Sequence, residues 1–182
     1  MGVHRLNHAV LYVRNVERSR DFYREALGFE VITEMPKAVF LRGPDSTNDH
    51  DLGLFEIGDS AGSPTAGQST VGLYHLAWEV DTLAELQRLS TVLTDRGSLV
   101  GASNHGTTKS LYAKDPDGLE FEIVWLIPAS LLTEDDIAAS GVSPLDLSAE
   151  LARFGPNELG GVDISVAGPS GHLAAPTPSA TR

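Results

Sequence analysis

Apolar and polar residues change their rhythm along this chain, alternating between the two-residue period of strands and the wider spacing of helices. Residues 5–13 alternate and are rich in aliphatics, which predicts a strand. Asn15 then stands as an N-cap before a helix over about 16–27. Val16, Phe22, Tyr23, Ala26 and Leu27 form its apolar stripe, and Gly28 stops it. Strands are predicted over 29–34, 38–42 and 52–57. A Gly/Ser/Pro-rich stretch follows over 58–70. The same order then returns. A strand over 73–80 precedes a helix over about 82–96, whose apolar face is Leu83, Leu86, Leu89, Val92 and Leu93, with Gly97 after it. Strands near 98–102, 110–114 and 119–126 complete the second β-α-β-β-β series.

The two series also match in residues. Leu6-Asn7-His8-Ala9-Val10 aligns with Leu73-Tyr74-His75-Leu76-Ala77, and Leu54-Phe55-Glu56-Ile57 with Glu120-Phe121-Glu122-Ile123. The separation from histidine to glutamate is 48 residues in the first copy and 47 in the second. Asp115-Pro116-Asp117-Gly118 is a turn signal, with proline at the first central position of a type I turn and glycine at the left-handed position. A hairpin with that turn and a bulge sets Asp115 against Leu119 and Tyr112 against Glu122, on one face. After Pro128 the pattern changes. A short acidic helix is expected from Thr133, and another within 143–154 on Leu145, Leu147, Leu151 and Phe154. The division expected is a first βαβββ module over 1–60, a linker over 61–70, a second module over 71–127, a helical extension over 128–155 and a disordered tail over 156–182.

Composition narrows the chemistry. The chain of 182 residues carries a net charge of −12, which disfavours nucleic acid and anionic membranes as partners. It has no cysteine, so disulfides, thiolate metal sites and cysteine nucleophiles are excluded. A metal would have to be held by His, Asp or Glu. No apolar run reaches the roughly 20 residues that span a bilayer, and the N-terminus lacks the apolar core of a signal peptide, so a cytoplasmic location is expected.

Strand alternation assigns faces to the candidate ligands. In Glu120–Trp125, Phe121, Ile123 and Trp125 share the face that packs on helices, while Glu120, Glu122 and Val124 share the other. His8, His75 and Glu122 together offer two imidazoles and one carboxylate, the facial triad suited to non-haem iron(II) with open coordination positions. With Glu56 the set becomes four protein ligands, nearer to an octahedral nickel, zinc or cobalt site. Glu56 is otherwise a vestige of the repeat or a solvent-facing carboxylate. His50 lies at a strand entry, and His172 falls in the tail.

These motifs resemble the vicinal oxygen chelate superfamily, which includes extradiol dioxygenases, glyoxalase I and the bleomycin- and fosfomycin-resistance proteins. The resemblance covers residues 4–127 and includes Asp21-Phe22-Tyr23-Arg24-Glu25-Ala26-Leu27-Gly28-Phe29 as well as the segments above. It implies an α+β fold in which two βαβββ modules form a cup-shaped, half-open mixed β-barrel with flanking helices and a C-terminal helical extension. Asn104-His105-Gly106, Ser110-Leu111-Tyr112 and Asp49-His50-Asp51 resemble single-domain catechol dioxygenase-like members. In dioxygenases a tyrosine ten residues before the glutamate ligand contacts the substrate oxygen, and Tyr112 has that spacing to Glu122. A nearby histidine there acts on protons or oxygen, and His105 is the candidate, although its spacing to Tyr112 departs from that of the larger dioxygenases.

The resemblance therefore implies an iron(II)-dependent extradiol-type dioxygenase acting on a catecholic small molecule, with a homodimer as its assembly. Its alternative is a glyoxalase- or epimerase-type lyase or isomerase, using nickel, cobalt, zinc or manganese, with Glu56 as fourth ligand or base. The sequence offers no basic cluster for the glutathione carboxylates. A non-catalytic binding module is the third reading, which retention of His8, His75 and Glu122 weighs against.

Overall fold

The computed structural model describes residues 2–3, 5–139, 141–161, 166–167 and 173–174. His172 and most of the tail expected to be disordered lie outside them. The architecture is α+β, with one four-stranded and one five-stranded sheet and a separate two-stranded pair, Val166–Ala167 with Leu173–Ala174. Two compact units are present, residues 1–72 with 114–119, and residues 73–113 with 120–182. Among the described residues no helix is long and apolar enough to cross a membrane.

In the first unit, β1 (Ala9–Val13), α1 (Val16–Leu27), β2 (Glu30–Met35), β3 (Ala38–Arg42) and β4 (Leu52–Glu56) follow the predicted order. The sheet order is β1-β4-β3-β2, and β1 runs parallel to β4. The Asn15 side chain accepts from the Arg18 amide at 2.7 Å, which caps α1, and Gly28 closes it. Val16, Phe22, Tyr23 and Ala26 are buried with Leu52 and Leu54 of β4. Fully burying an aliphatic or aromatic side chain contributes about 1.5–3 kcal/mol, so this stripe holds the helix in place.

In the second unit, β5 (Leu76–Glu79), α2 (Leu83–Asp95), β6 (Leu99–Asn104), β7 (Thr108–Lys114) and β8 (Glu120–Leu126) repeat the series, with sheet order β5-β8-β7-β6-β9. The edge strand β9 (Ser143–Pro144) pairs with Ser103 and Asn104. The short acidic helix expected from Thr133 is α3 (Glu134–Ala138). The second, expected within 143–154, is α4 (Leu147–Phe154), which begins only after Asp146, whose side chain accepts from the Ala149 amide. Proline has no amide hydrogen to donate, which suits Pro144 to an edge strand. The extension closes over this unit. Trp125 is fully buried, packs 5.3 Å from Phe154, and donates its indole N–H to the Asp81 carbonyl.

The turn after β7 has the predicted form. The Asp115 amide donates to the Leu119 carbonyl at 2.9 Å, and Gly118 adopts φ 86°, which glycine alone takes at little cost. By its contacts this turn belongs to the first unit, where Asp117 accepts from the Arg14 amide and from the guanidinium groups of Arg14 and Arg18.

Candidate metal centre

Alternation along β8 places its side chains as expected. Phe121, Ile123 and Trp125 are buried in the core, and Glu120, Glu122 and Val124 are half-buried on the opposite face. His75 immediately precedes β5, which runs parallel to β8 with Ala77 opposite Glu122. The second unit therefore brings His75 and Glu122 together, Nε2 to Oε2 at 3.1 Å. Nδ1 of His75 is buried and has no hydrogen-bond partner among the described residues.

Tyr112 and His105 join this pair. Tyr112 lies on β7, and its hydroxyl is 3.5 Å from Oε1 of Glu122. On its other side the same hydroxyl lies 2.9 Å from Nε2 of His105, at the turn between β6 and β7. Burial first, and then the Glu122 charge, pushes the Tyr112 phenol above its ordinary value. At neutral pH Tyr112 is thus a neutral hydroxyl that can donate to one neighbour while accepting from the other. The four side chains form one line from His105 through Tyr112 and Glu122 to His75.

His8 and Glu56 lie in the first unit. Nδ1 of His8 is 2.8 Å from Oδ1 of Asn7. A proton on Nδ1, donated to that amide oxygen, leaves Nε2 with the lone pair a metal requires. His50, a strand-entry residue in the sequence, lies against His8 with ring centroids 4.4 Å apart and the rings tilted by 41°, and meets Phe40 edge-on. Asn48 ties the segment together by donating to the Asn7 carbonyl and to Asp51.

The register corrects one alignment made from spacing. Two residues after His75, Ala77 faces Glu122; two residues after His8, Val10 faces Gly53. Gly53, not Glu56, is therefore the counterpart of Glu122. Glu56 faces Val13 at the far end of β4 and has the parity of Leu52 and Leu54, on the α1 side. Its Oε2 accepts from the Val16 amide at 3.3 Å, at the start of α1, and Lys37 lies 3.8 Å from Oε1. Among the described residues, no group of three or more His, Asp or Glu side chains is placed to hold a metal ion.

Lys109 and Glu150 were not singled out in the sequence. Lys109 is 1% exposed, and its ammonium donates to Oδ1 of Asn104 at 2.7 Å and to the Gly106 carbonyl at 2.9 Å. Glu150 of α4 completes the group, 3.4 Å from the Lys109 ammonium and 3.3 Å from the Asn104 amide nitrogen. Asn104-His105-Gly106 stood out in the sequence only through its family resemblance. Nothing local could connect it to Glu150, which lies 46 residues from Asn104.

A protein-family model described as Glyoxalase/Bleomycin resistance protein/Dioxygenase superfamily matches residues 5–123. The chain is similar to biphenyl-2,3-diol 1,2-dioxygenase 3 of Rhodococcus globerulus, 34% identical over 65% of this chain and 62% of the relative. It is also similar to catechol-2,3-dioxygenase of Bacillus subtilis, at 28% over 71% of this chain and 44% of the relative. The match thus spans less than two thirds of the length of either dioxygenase. A lactoylglutathione lyase of Neisseria meningitidis matches at 29% over 66% of this chain and 89% of its own length. Among solved structures, a glyoxalase/dioxygenase from Nostoc punctiforme is 27% identical, with a TM-score of 0.53 over 66% of this chain and 89% of that one. A domain of the same broad description from Frankia sp. superposes with a TM-score of 0.55 at 21% identity, over 68% of this chain and 92% of that one.

Proposed function

Because the chain belongs to the glyoxalase/bleomycin resistance protein/dioxygenase superfamily, we propose that it is an iron(II)-dependent extradiol-type dioxygenase that opens the ring of a catecholic small molecule. The observation that carries this reading is Gly53 at the register position of Glu122. It leaves the repeat with two histidines and one carboxylate, the donor set suited to oxygen-using iron rather than a four-ligand site.

Two of the three donors, His75 and Glu122, fit such an ion. Two donors at about 2.1 Å from a metal and at right angles to each other stand about 3 Å apart, and His75 Nε2 and Glu122 Oε2 are 3.1 Å apart. His8, which precedes β1 as His75 precedes β5, is the third donor that this reading calls for by its place in the repeat. When bound, iron(II) supplies a Lewis acid that lowers the pKa of the diol hydroxyls and offers coordination positions for them and for dioxygen.

The chain's own residues do the rest. Glu122 presents Oε2 toward His75 and Oε1 toward Tyr112. Tyr112, kept neutral by its surroundings, donates to an oxygen beside Glu122 and is itself approached by Nε2 of His105. For a relay the hydroxyl turns, giving its own proton to Nε2 of His105 as it accepts one from the substrate, and the reverse transfer returns a proton to the product. A homodimer is part of this reading, and light scattering of the purified protein tests it.

Anaerobic reconstitution with iron(II), followed by a panel of catechols in air, is the test. Stoichiometric oxygen uptake with ring-cleavage absorbance is expected for at least one catechol, and its loss in His75→Ala and Glu122→Ala. An iron-loaded protein inert toward every catechol overturns the reading. The lyase-type alternative draws support from the Neisseria relative, matched over 89% of its length. Turnover with nickel, cobalt, manganese or zinc in the absence of oxygen would establish it instead.

A further inference from the structure

The C-terminal extension carries no residue of the proposed centre, yet it meets the turn that holds His105. That turn is closed by backbone bonds from the His105 amide to the Thr108 carbonyl and from the Thr107 amide to the His105 carbonyl. Gly106 takes φ 78°, and a Cβ there would collide with the Asp136 carbonyl of α3. Asp136 is held in turn by both terminal nitrogens of the Arg153 guanidinium and by Thr133. On the other side, Oδ1 of Asn104 accepts from the Gly106 amide at 2.9 Å and from Lys109, whose ammonium also binds the Gly106 carbonyl. One side chain, Lys109, thus grips the residue next to His105 while Glu150 of α4 pairs with it.

We propose that Lys109 is a positioning residue, which with Asn104 and Glu150 sets the His105 imidazole against the Tyr112 hydroxyl and makes the C-terminal extension a working part of the site. The role of His105 rests on the function proposed above, but its placement can be read without metal or substrate.

Three features favour positioning over simple packing. Lys109 is on the helix side of β7, the opposite parity to Tyr112, so its ammonium touches no residue of the His105–Tyr112–Glu122 line and acts through the turn. A buried ammonium costs free energy unless it is paired and hydrogen-bonded, and the two acceptors that Lys109 bonds, on Asn104 and Gly106, flank His105. Burial pulls its pKa below the ordinary lysine value, with Glu150 opposing the shift. A methionine of similar length would fill the same space without that cost, so the charge points to a task beyond filling volume.

The test is nuclear magnetic resonance of the metal-free full chain, with the six histidines assigned by single substitution. In the native protein the His105 ring should show one tautomer and a protected hydrogen bond with Tyr112. In Lys109→Met the His105 signals should shift and average between tautomers while those of His75 stay in place. The iron-loaded variant should lose about 100-fold in kcat with little change in KM, as expected for a misplaced catalytic group. Unchanged His105 signals in Lys109→Met overturn the proposal, whatever the enzyme's activity. If Lys109→Met fails to fold, Glu150→Gln decides. A selective change at His105 supports positioning, and its absence refutes it. A native-like His105 response in a protein inert toward catechols would fault the function proposed above and not this inference.

Discussion

Replacing Glu56 with alanine separates a three-donor centre from a four-donor one. In the structure Oε2 of Glu56 accepts from the Val16 amide at 3.3 Å, one of the donors left open at the start of α1. Losing a side-chain acceptor at a helix start costs about 0.5–2 kcal/mol. Losing its negative charge there costs about 0.3–1 kcal/mol, and the two figures overlap because they describe the same contact. Lys37 adds little: it is 74% exposed and 3.8 Å away. Asn15 continues to cap the helix through the Arg18 amide. The expected net loss is therefore about 1 kcal/mol, or about 2–4 °C in melting temperature for a chain of this size. Urea unfolding of the metal-free protein reads the stability, and calorimetric titration with iron(II) under anaerobic conditions reads the centre. Glu56→Ala should keep the native stoichiometry and its affinity within a factor of about three, a change below 1 kcal/mol. Glu122→Ala should abolish stoichiometric binding. A Glu56→Ala protein of native stability that no longer binds metal would refute the register argument.

Other expectations follow from the same contacts. Tyr112→Phe should lower kcat on a catechol by about 100-fold or more while the protein still loads iron, since it removes the hydroxyl between His105 and Glu122; steady-state oxygen uptake measures this. Gly106→Ala should destabilise the second unit by about 1–3 kcal/mol, because the positive φ and the Asp136 carbonyl both oppose a side chain; denaturant titration checks it. Burial alone would raise the Asp136 carboxyl, but the hydrogen bonds from Arg153 and Thr133 outweigh it and hold Asp136 well below its ordinary value of 3.8. Its contribution is therefore complete above about pH 4 and is lost as the pH falls through the depressed folded value. Asp136→Asn should accordingly lose about 2 kcal/mol at neutral pH, with the gap to the native protein narrowing as acid is added. A pH series of urea midpoints, if parallel for the two proteins, would contradict this.

Much of the fold is written in local pattern. The start of α1 at Val16, its stop at Gly28 and strand β3 at 38–42 follow from caps and alternation that act over a few residues. The same is true of the Asp-Pro-Asp-Gly turn, where four residues decide the backbone and so set Tyr112 near Glu122. Parity along β8 likewise told Glu122 from Phe121 and Ile123, because a strand's faces alternate whatever lies beyond it. His75 and Glu122 could be singled out because each copy has a histidine near its start and a glutamate near its end, whereas the pairing of β5 with β8 that brings them together is tertiary.

What sequence could not decide was register and long-range closure. Equal spacing suggested that Glu56 answers to Glu122, but the connections between strands differ in length in the two copies. Only the pairing of β1 with β4 showed that 45 residues separate His8 from the counterpart, Gly53, against 47 from His75 to Glu122. One step of register turns a side chain to the other face, so an alignment off by three residues moved a carboxylate from the open face to the helix side. The Lys109–Asn104–Glu150 group was equally invisible, since its members meet only when α4 folds back over the second sheet. Local backbone preferences act between neighbours in the chain, whereas a buried charge finds its partner through the packing of distant segments, and that is why the elements were legible and the support of His105 was not.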